Sequence, residues 1–364
     1  MTATCLMHEE RGYFIQNMKN QTGENEVRIL VDAMGGDNAP GSNVLGCINA
    51  IRKSEKLNIS LIGDENIIKD ILNKENFSNP RLSIVHASEV ITCDEEPIKA
   101  IRNKKDSSIV VGLKMLKENK GDAFLSAGDT GVLLGGGKLI VKSIKGIDRP
   151  ALPTLLPTKA GGTVLLLDSG LNTDCDTRNL YQFAKMGSMY MEEILEIKNP
   201  RVGLINIGTE ERKGNSMTKK AYQEFLNCDL NFAGNIEGRD IMQGTVDVAV
   251  CDGFVGNIIL KFLEGTASFL LANLKNIFYK NILNKIAAVI LKKDLSEFFK
   301  KLDHEEVGGT LLFGIDGYIV KCHGSSTERA VMNGIFLCEK LVDSGLITKL
   351  RENFKNNIDS DVVI

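Results

Sequence analysis

The chain has 364 residues, of which 43% are hydrophobic and 25% are charged, and its formal net charge is −3. This length suits about two or three domains, and the slightly acidic balance argues against nucleic acid as a partner, although it allows a local basic patch for an acidic protein. No apolar run approaches the ~20 residues of a membrane-spanning helix and no signal-peptide core precedes the first strand, so we expect neither.

The eight cysteines are spread along the chain without a C-x-x-C pair, and the four histidines show no metal-ligand spacing. This pattern is typical of reduced thiols in a cytoplasmic protein, and it predicts neither a metal site nor a bound cofactor. A thiol nucleophile is compatible with the sequence, but no cysteine stands out for that role.

The first predicted element is a β-prone run at residues 27–31, which leads into the turn Asp32-Ala33-Met34-Gly35-Gly36-Asp37. Asn38 and Pro40 then suit the start of a helix. A strand, a glycine turn and a helix N-terminus together favour anion binding, because free N–H groups and the helix dipole point at the ligand. For any single turn of this kind, a plain connection between strand and helix is the alternative.

The strand-turn-helix pattern then repeats. Further strands are predicted at residues 59–63, 82–86, 123–126, 164–167, 202–207 and 246–251. Helices are predicted at residues 43–52, 67–72, 110–117, 132–143, 179–195 and 218–226, with another beginning at Pro97. The pattern favours a Rossmann-like, three-layer α/β/α fold with a mostly parallel sheet. We expect one domain over residues 27–350, a flexible extension at 1–26 and a tail at 351–364.

Five predicted strands end in turns rich in Gly, Asp, Asn, Ser or Thr. These turns begin near Asp32, Ser126, Asp168, Asn206 and Asp252. Because the carboxyl ends of parallel strands line one crevice, we expect the five turns to face a common ligand. A basic run on the helix after Pro97, which includes Lys99, Arg102 and Lys105, is interpreted as a solvated face.

Residues 269–302 change character and predict a helical hairpin, since Phe, Leu, Ile, Lys and Asn recur there with helical spacing and little glycine. Six apolar residues, 286–291, lie between lysines near its middle and include Ile286, Val289, Ile290 and Leu291. This segment is too short to cross a bilayer, but it suits the membrane surface, with lysines meeting acidic lipid. Packing against a second subunit explains the pattern equally well.

Seven sequence blocks in this order resemble the PlsX-type phosphate acyltransferases of bacterial phospholipid synthesis. They are VDAMGGDNAP, SAGDTG, KGIDRPAL, LDSGLNTDC, NIGTEERKGN, VDVAVCDGFVGN and VKCHGSS. The resemblance covers about residues 27–350, and seven ordered blocks are far more specific than one glycine motif.

The resemblance implies transfer of a long-chain fatty acyl group from acyl carrier protein to inorganic phosphate. The product would be an acyl phosphate for glycerol 3-phosphate acylation. The resemblance also implies a fold related to phosphate acetyltransferases and isocitrate dehydrogenase-like enzymes. It further implies a homodimer, and a cytoplasmic enzyme that touches the membrane reversibly through its hairpin.

This chemistry indicates roles for the residues of the polar turns. Phosphate itself is the nucleophile, so proximity supplies much of the rate. Phosphate and substrate binding is expected at Asp32, Gly35, Gly36, Asp37, Ser126, Gly128, Asp129, Thr130, Gly131, Asp168, Asp174, Asp252, Gly253 and Gly256. The four strand-end aspartates Asp32, Asp168, Asp174 and Asp252 either orient these groups or cap helices.

Further roles are expected for side chains that carry a positive charge, an amide or an imidazole. Lys213 is the expected cationic partner of phosphate, with Lys261 as second choice. Asn172, Asn206 and Asn257 are expected to polarise the thioester oxygen, and His323 to protonate the leaving thiol or to serve only the structure.

Two positions depart from the family pattern, which usually has Asn at position 129 and His at position 38. Asp129 adds negative charge beside the phosphate site unless a Lys or Arg pairs with it, and Asn38 removes a base. Two other functions stay open. A dehydrogenase of the same broad fold is disfavoured, because no G-x-G-x-x-G follows the first strand. A membrane-associated scaffold that binds acyl carrier protein without catalysis is the third reading.

Overall fold

The structure is a computed structural model that describes residues 26–300 and 308–360. Apart from Glu26, the predicted extension lies outside the described residues, and so do the predicted hairpin's last residues, 301–302. In chain order the described elements are β1 (Val27–Asp32), α1 (Gly41–Lys53), β2 (Leu57–Gly63), α2 (Glu65–Lys74), β3 (Leu82–His86), α3 (Pro97–Asn103), α4 (Ser108–Lys117), β4 (Ala123–Ser126), α5 (Thr130–Gly136), β5 (Thr154–Pro157), β6 (Thr163–Leu167), α6 (Thr177–Glu193), β7 (Val202–Ile205), α7 (Ser216–Leu226), β8 (Phe232–Ile236), α8 (Gly238–Gln243), β9 (Val248–Val250), α9 (Gly253–Tyr279), α10 (Ile282–Lys300), β10 (Thr310–Leu311), β11 (Tyr318–Lys321), α11 (Glu328–Ser344) and α12 (Leu346–Ser360).

These strands form two sheets. The first has the order β10-β11-β4-β1-β2-β3 and the second the order β5-β6-β9-β7-β8. All described strand pairs are parallel except β10 with β11 and β5 with β6. The predicted α/β class with mostly parallel strands is therefore confirmed. The prediction of a single sheet is wrong, because a repeating strand-helix pattern does not specify which strands are neighbours.

One apolar core joins the two sheets. Buried side chains of β1, β2, β4 and β11 pack in the same cluster as those of β6, β7 and β9, together with α1, α6, α11 and α12. Helices α3, α4 and α5 cover the other face of the first sheet, and α8 and α9 cover the other face of the second. Each sheet thus lies between helices, as a three-layer arrangement requires.

Short polar side chains fix where several helices begin. Asp64, Asp176, Asn215 and Thr327 each accept a hydrogen bond from a first-turn N–H group of α2, α6, α7 and α11. Such caps satisfy donors that a helix leaves without an internal partner. The sequence pattern also predicts a closing helix over residues 328–342, which is present as α11, whereas β5, β8, β10, α8 and α12 escape the sequence-based prediction. Helix α12 continues to Ser360, through most of the segment expected to be a tail.

Helices α9 and α10 form the predicted hairpin, which begins earlier than expected, at Gly253. Its apolar side chains are largely exposed, unlike those of the body. Ile286, Val289, Ile290 and Leu291 are 42–74% exposed. By length and composition alone, the 27 residues of α9 are also sufficient to cross a membrane, and 6% of the most apolar window is buried. The expectation that no segment of the chain reaches that length is therefore wrong.

Candidate active site

The carboxyl ends of β1, β4 and β11 are neighbours in the first sheet and carry Asp32, Ser126 and Lys321. We call these three residues the first row. The strand register pairs Lys321 with Ser126, and Val31 with Leu125, so the three residues lie side by side at one edge. This edge is where open α/β sheets bind ligands.

Asp32 is fully buried at the centre of the first row. Its carboxylate accepts hydrogen bonds from the Ser126 hydroxyl at 2.6 Å and from the Met34 N–H at 3.0 Å. Burial raises the pKa of Asp32, because a low-dielectric site disfavours the charged carboxylate, and bonds from the hydroxyls of Ser108 and Ser126 offset part of that rise. Asp32 therefore braces the glycine turn that follows it.

The two glycines of this turn allow it to touch the turn after β4. A Cβ on Gly35 would lie 2.3 Å from Asp32 Oδ2 and 2.7 Å from the Gly128 nitrogen. Gly36 has a φ of +100°, and a Cβ there would lie 2.9 Å from the Cβ of Ala127. A larger residue at either position would push the two turns apart.

Four backbone N–H groups of these two turns are left without an acceptor. They belong to Gly36, Asp129, Thr130 and Gly131, and within the described part of the chain they donate to nothing. The Asp129 carboxylate caps α5 by accepting from the Val132 N–H at 2.9 Å. Open amides at the start of a helix are suitable donors for a phosphate.

The turn after β11 is tied to the turn after β1. The Asp37 N–H donates to the carbonyl of Gly324 at 2.7 Å. The Asn38 amide donates to the carbonyls of Ser325 and Ser326 at 3.0 and 3.2 Å. His323 is exposed, and its Nδ1 lies 2.8 Å from Ser325 Oγ. Asn38, one of the two departures from the family pattern, therefore has a structural role in joining these turns.

Lys321 completes the first row and is not among the residues predicted for the site, which include the nearby His323. Its Nζ donates to the carbonyl of Ala127 at 3.3 Å and to that of Cys322. Burial lowers the pKa of Lys321, and the nearby charges of Asp129 and Asp37 oppose part of that effect. The feature that marks Lys321 is its position at the end of a strand beside Ser126. This position depends on the order of the strands, which the sequence does not give.

The second sheet presents an analogous edge. The strands β6, β9 and β7 are neighbours, and the residues that follow their carboxyl ends include Asp168, Asp252 and Asn206. We call these three residues the second row. A backbone hydrogen bond joins two members of the row, because Asp168 N donates to the carbonyl of Cys251, the residue before Asp252, whereas Asn206 N donates outward to the carbonyl of Ile236 at the end of β8.

Asp168 is fully buried, and its carboxylate is saturated with hydrogen bonds. It accepts from five donors, which are the N–H groups of Leu152, Gly170, Leu171 and Asn172 and the side-chain amide of Asn172. The same Asn172 amide also donates to the carbonyl of Pro150 at 2.7 Å. Both amide hydrogens of Asn172 are therefore in use, which makes it a brace for the loop.

Helix α9 begins against this loop without space for a side chain. Asp252 caps the helix by accepting from the Val255 N–H at 2.8 Å, the capping alternative considered for the strand-end aspartates. A Cβ on Gly253 would lie 2.7 Å from the Asn172 nitrogen, and one on Gly256 would lie 1.9 Å from the Asp168 carbonyl oxygen. These two glycines seat the helix directly on the backbone of the second row.

The other two predicted asparagines differ in their freedom. Asn206 donates through Nδ2 to the carbonyl of Lys213 at 3.1 Å and accepts through Oδ1 from the Ile207 N–H. Asn257 is exposed beside Gly170, and within the described residues its amide makes no hydrogen bond. Of the three, Asn257 has both amide hydrogens available for a substrate oxygen, Asn206 has one, and Asn172 has none.

The predicted cations lie apart from the first row. Lys213 belongs to the turn after β7, with its Nζ 3.9 Å from Glu210 Oε1 and its side chain 41% exposed. Lys261 lies two turns into α9 and pairs with Glu264 at 2.8 Å. Asp174 is exposed, and its carbonyl accepts from Arg149 at 2.8 Å. Neither lysine has a recorded contact with Asp32, Ser126 or their turns in the described part of the chain.

The structure thus groups the predicted residues into sets. The first set surrounds the first row and contains Asp32, Gly35, Gly36, Asp37, Ser126, Gly128, Asp129, Thr130, Gly131 and His323. The second set surrounds Asp168 and contains Asn172, Asp252, Gly253, Gly256 and Asn257. A connection runs between the two sheets, because Ala151 and Phe313 exchange two backbone hydrogen bonds and the adjacent Leu152 N–H donates to Asp168.

The cysteines near these sets are poor nucleophiles. Burial, followed by the charges of Asp168 and Asp252, raises the pKa of Cys175 to about 12. Burial also raises the pKa of Cys322 to about 12 and raises that of Cys251 well above its ordinary value. Because the thiolate is the reactive form, none of these three suits covalent catalysis at neutral pH.

Comparison with known proteins gives a consistent match over almost the whole chain. The family model described as "Fatty acid synthesis protein" matches residues 27–349. A phosphate acyltransferase from Acetivibrio thermocellus is 50% identical over 334 residues, which cover 92% of this chain and 98% of that protein. A phosphate acyltransferase from Thermoanaerobacter pseudethanolicus is 47% identical over 330 residues, covering 91% and 98% of the two chains.

Among solved structures, a phosphotransacetylase from Streptococcus pyogenes superposes with a TM-score of 0.58 at 15% identity. The superposition covers 91% of this chain and 98% of that one. At this low identity the likeness concerns the fold, and it agrees with the fold relation that the sequence blocks implied.

Proposed function

The chain belongs to the fatty acid synthesis protein family and is an acyltransferase that uses phosphate as acceptor, and from this premise we propose that it takes a long-chain acyl group from acyl carrier protein. The product is an acyl phosphate that serves glycerol 3-phosphate acylation. The open amides of Gly36, Asp129, Thr130 and Gly131 are the observation that carries this proposal, because they offer a site for the acceptor phosphate.

In the proposed reaction, phosphate lies on the first row and the thioester lies toward the second row. A phosphate oxygen attacks the carbonyl carbon, the carbon–sulfur bond breaks, and the proton of the phosphate passes to the departing thiolate. The free amide of Asn257 is placed to polarise the thioester oxygen. Holding both substrates side by side lowers the activation barrier by as much as ~7–11 kcal/mol.

A basic surface supports acyl carrier protein as the donor. Residues 97–145, which include α3, α4 and α5, carry ten Lys and Arg against four Asp and Glu. Lys99, Arg102, Lys105, Lys138 and Lys142 of this segment are exposed. The α5 helix that belongs to this surface starts at the open amides, so an acidic carrier docked here would lie near the acceptor phosphate.

The exposed hairpin supports reversible membrane contact and a dimer. Ile286, Val289 and Ile290 lie next to Lys285 and Lys292, which suits insertion of the tip into the surface of an anionic membrane. Nearer the body, Ile258 and Phe262 of α9 are 53% and 75% exposed on one helix face. We assign this face to contact with a second copy and the tip to the membrane, with the enzyme otherwise cytoplasmic.

One assay tests the function. The purified chain is incubated with long-chain acyl-[acyl carrier protein] and inorganic phosphate, and acyl phosphate is trapped with hydroxylamine. We expect hydroxamate that depends on phosphate. Reduction of NAD with a hydroxy acid would instead favour the dehydrogenase reading, and binding of the carrier without turnover would favour the scaffold.

The same assay tests the predicted cation. If Lys213 binds phosphate, Lys213→Ala sharply lowers acyl-phosphate formation. Turnover near that of the unmodified chain would remove Lys213 from the site.

Charge reversal tests the basic surface. Arg102→Glu with Lys105→Glu is expected to raise KM for the acylated carrier and leave KM for phosphate unchanged. The matched control is Arg52→Glu with Lys53→Glu, an adjacent exposed basic pair at the end of α1. Equal effects of the two pairs would show a general charge effect and contradict docking on this surface.

Liposome flotation tests the hairpin tip. Val289→Glu with Ile290→Glu is expected to abolish binding to anionic liposomes, because two buried charges oppose insertion. Leu226→Glu, at an exposed apolar residue of the body, is the control and is expected to keep binding. If the tip variant still floats with the liposomes, the tip is not the anchor.

A further inference from the structure

The Lys321 ammonium lies beside the turn that carries most of the open amides, and within the described residues it has no carboxylate partner. Its ammonium carries three N–H donors, and the recorded acceptors are two neutral carbonyls, of Ala127 and Cys322. Within the described residues no carboxylate lies within ion-pair distance of it. A partly buried ammonium held only by neutral acceptors is costly, so this site favours an additional anion.

The surroundings of Lys321 are those of the predicted phosphate turns. The carbonyl acceptor Ala127 lies next to Gly128 and is also the residue that a Cβ on Gly36 would meet at 2.9 Å. On the other side, Gly324 accepts from the Asp37 N–H at 2.7 Å. The Lys321 ammonium therefore contacts the turns after β4 and β11, and the turn after β1 packs against both of these turns.

We propose that Lys321 is the cation that anchors the acceptor phosphate, in place of Lys213. The proposal rests on the proposed function and assigns to it a residue on the first row. In this arrangement the open amides bind phosphate oxygens through neutral N–H donors, and Lys321 supplies the positive charge that offsets the carboxylates of Asp37 and Asp129. The proposal also accounts for the added negative charge at position 129, because the charges of Asp129 and Lys321 attract each other.

Two substitutions separate charge from packing. Lys321→Met keeps much of the unbranched side chain but removes the charge, and Lys321→Arg keeps a charge. We expect Lys321→Met to raise KM for phosphate at least about tenfold, the size of one lost charge-assisted hydrogen bond, without raising KM for the acylated carrier. Lys120→Met is the matched control, because Lys120 is exposed and precedes the opposite end of β4.

A pH profile adds a readout that a purely structural role would not move. Asp37, Asp129, Cys93 and the adjacent Cys322 are the titratable groups that act on Lys321. Because the lysine loses its charge at a lower pH than an ordinary one, KM for phosphate should rise on the alkaline side in the unmodified chain. The rise should be absent in Lys321→Arg, since a guanidinium stays charged there.

Thermal unfolding with inorganic phosphate as the probe makes the test independent of turnover. Phosphate should raise Tm of the unmodified chain and of Lys120→Met, but not of Lys321→Met. If KM and the phosphate-dependent Tm of Lys321→Met match those of the unmodified chain, the proposal is wrong. If that variant does not fold, the alkaline profile of Lys321→Arg decides. If the unmodified chain binds phosphate through Lys321 but forms no acyl phosphate, the proposed function fails and this inference stands.

Discussion

The two rows of strand ends use the same architecture in opposite ways. Each places a fully buried aspartate, Asp32 or Asp168, at the carboxyl end of a parallel strand. Around Asp32 the neighbouring turns keep four backbone N–H groups open, and Lys321 has no anionic partner there within the described residues. Around Asp168 the loop donors are consumed by the aspartate itself.

A strand end can thus either keep backbone donors open to a ligand or use them to support the neighbouring loop. A buried carboxylate that accepts every nearby N–H makes its loop rigid and leaves little for a ligand. A buried carboxylate such as Asp32, which accepts partly from side-chain hydroxyls, leaves more of the adjacent backbone donors free. The first row therefore keeps donors free for an anion, whereas the second row supports the start of α9, where Asn257 is exposed.

The largest loss of stability is expected from Gly256→Ala, which disturbs the packing of α9 against the second row. The new Cβ would lie 1.9 Å from the Asp168 carbonyl oxygen, a backbone atom, so α9 must move. We expect the free energy of unfolding to fall by about 3 kcal/mol or more, measured in urea. Gly265→Ala is the control on the same helix, since among the described residues no atom beyond its chain neighbours and its own helix backbone would lie within 4 Å of the new Cβ.

That control should stabilise α9 slightly, by up to about 1 kcal/mol, because alanine favours a helix over glycine. If both alanines have the same effect, the first turn of α9 is not seated on the second row, and the contrast between the rows loses its structural basis.

A smaller effect is expected from neutralising each aspartate as an amide. In Asp168→Asn an NH2 group must face loop N–H donors, because both oxygens of Asp168 accept them. We expect a loss of about 2–4 kcal/mol of unfolding free energy. In Asp32→Asn the amide oxygen can still accept from Met34, and the NH2 can donate to Ser126, so the loss should be about 1 kcal/mol. Equal losses in urea unfolding would show that the two aspartates are equivalent.

Much of this fold follows from the sequence, because strand-turn-helix periodicity is a local property. The β1 and β4 strands, their glycine turns and the capping residue Asp252 are all evident from composition and spacing. The division into two sheets is not, since it depends on which strands become neighbours. The short antiparallel strand β5 and the irregular strand β8 lack the long apolar runs by which the other strands were predicted.

The same limit explains why the sequence does not single out Lys321 and does not reveal how Asn172 is bonded. Lys321 is the last residue of a short strand, and its position beside Ser126 arises only because β11 lies next to β4. Asn172 has the right chemistry for a donor, but the sequence does not reveal that Asp168 and Pro150 already use its amide. Spacing therefore predicts which turns are polar, whereas three-dimensional pairing decides which of their donors stay free.

The smallest expected effect is a pH dependence that belongs to Asp32. Burial raises its pKa in the folded chain, so the unfolded chain ionises first as pH rises above about 3.9. The stability of the unmodified chain relative to Asp32→Asn should therefore be greatest below that pH and fall by up to about 1.4 kcal/mol per pH unit until the folded pKa is reached.

Asp247→Asn gives the opposite sign, because hydrogen bonds from Arg201 outweigh burial and lower the pKa of Asp247. Urea unfolding of the three chains between about pH 2.5 and about pH 8, on the order of one measurement per unit, checks both signs. A stability difference for Asp32→Asn that does not change with pH would mean that Asp32 is charged in the folded chain, and its row would then resemble that of Asp168.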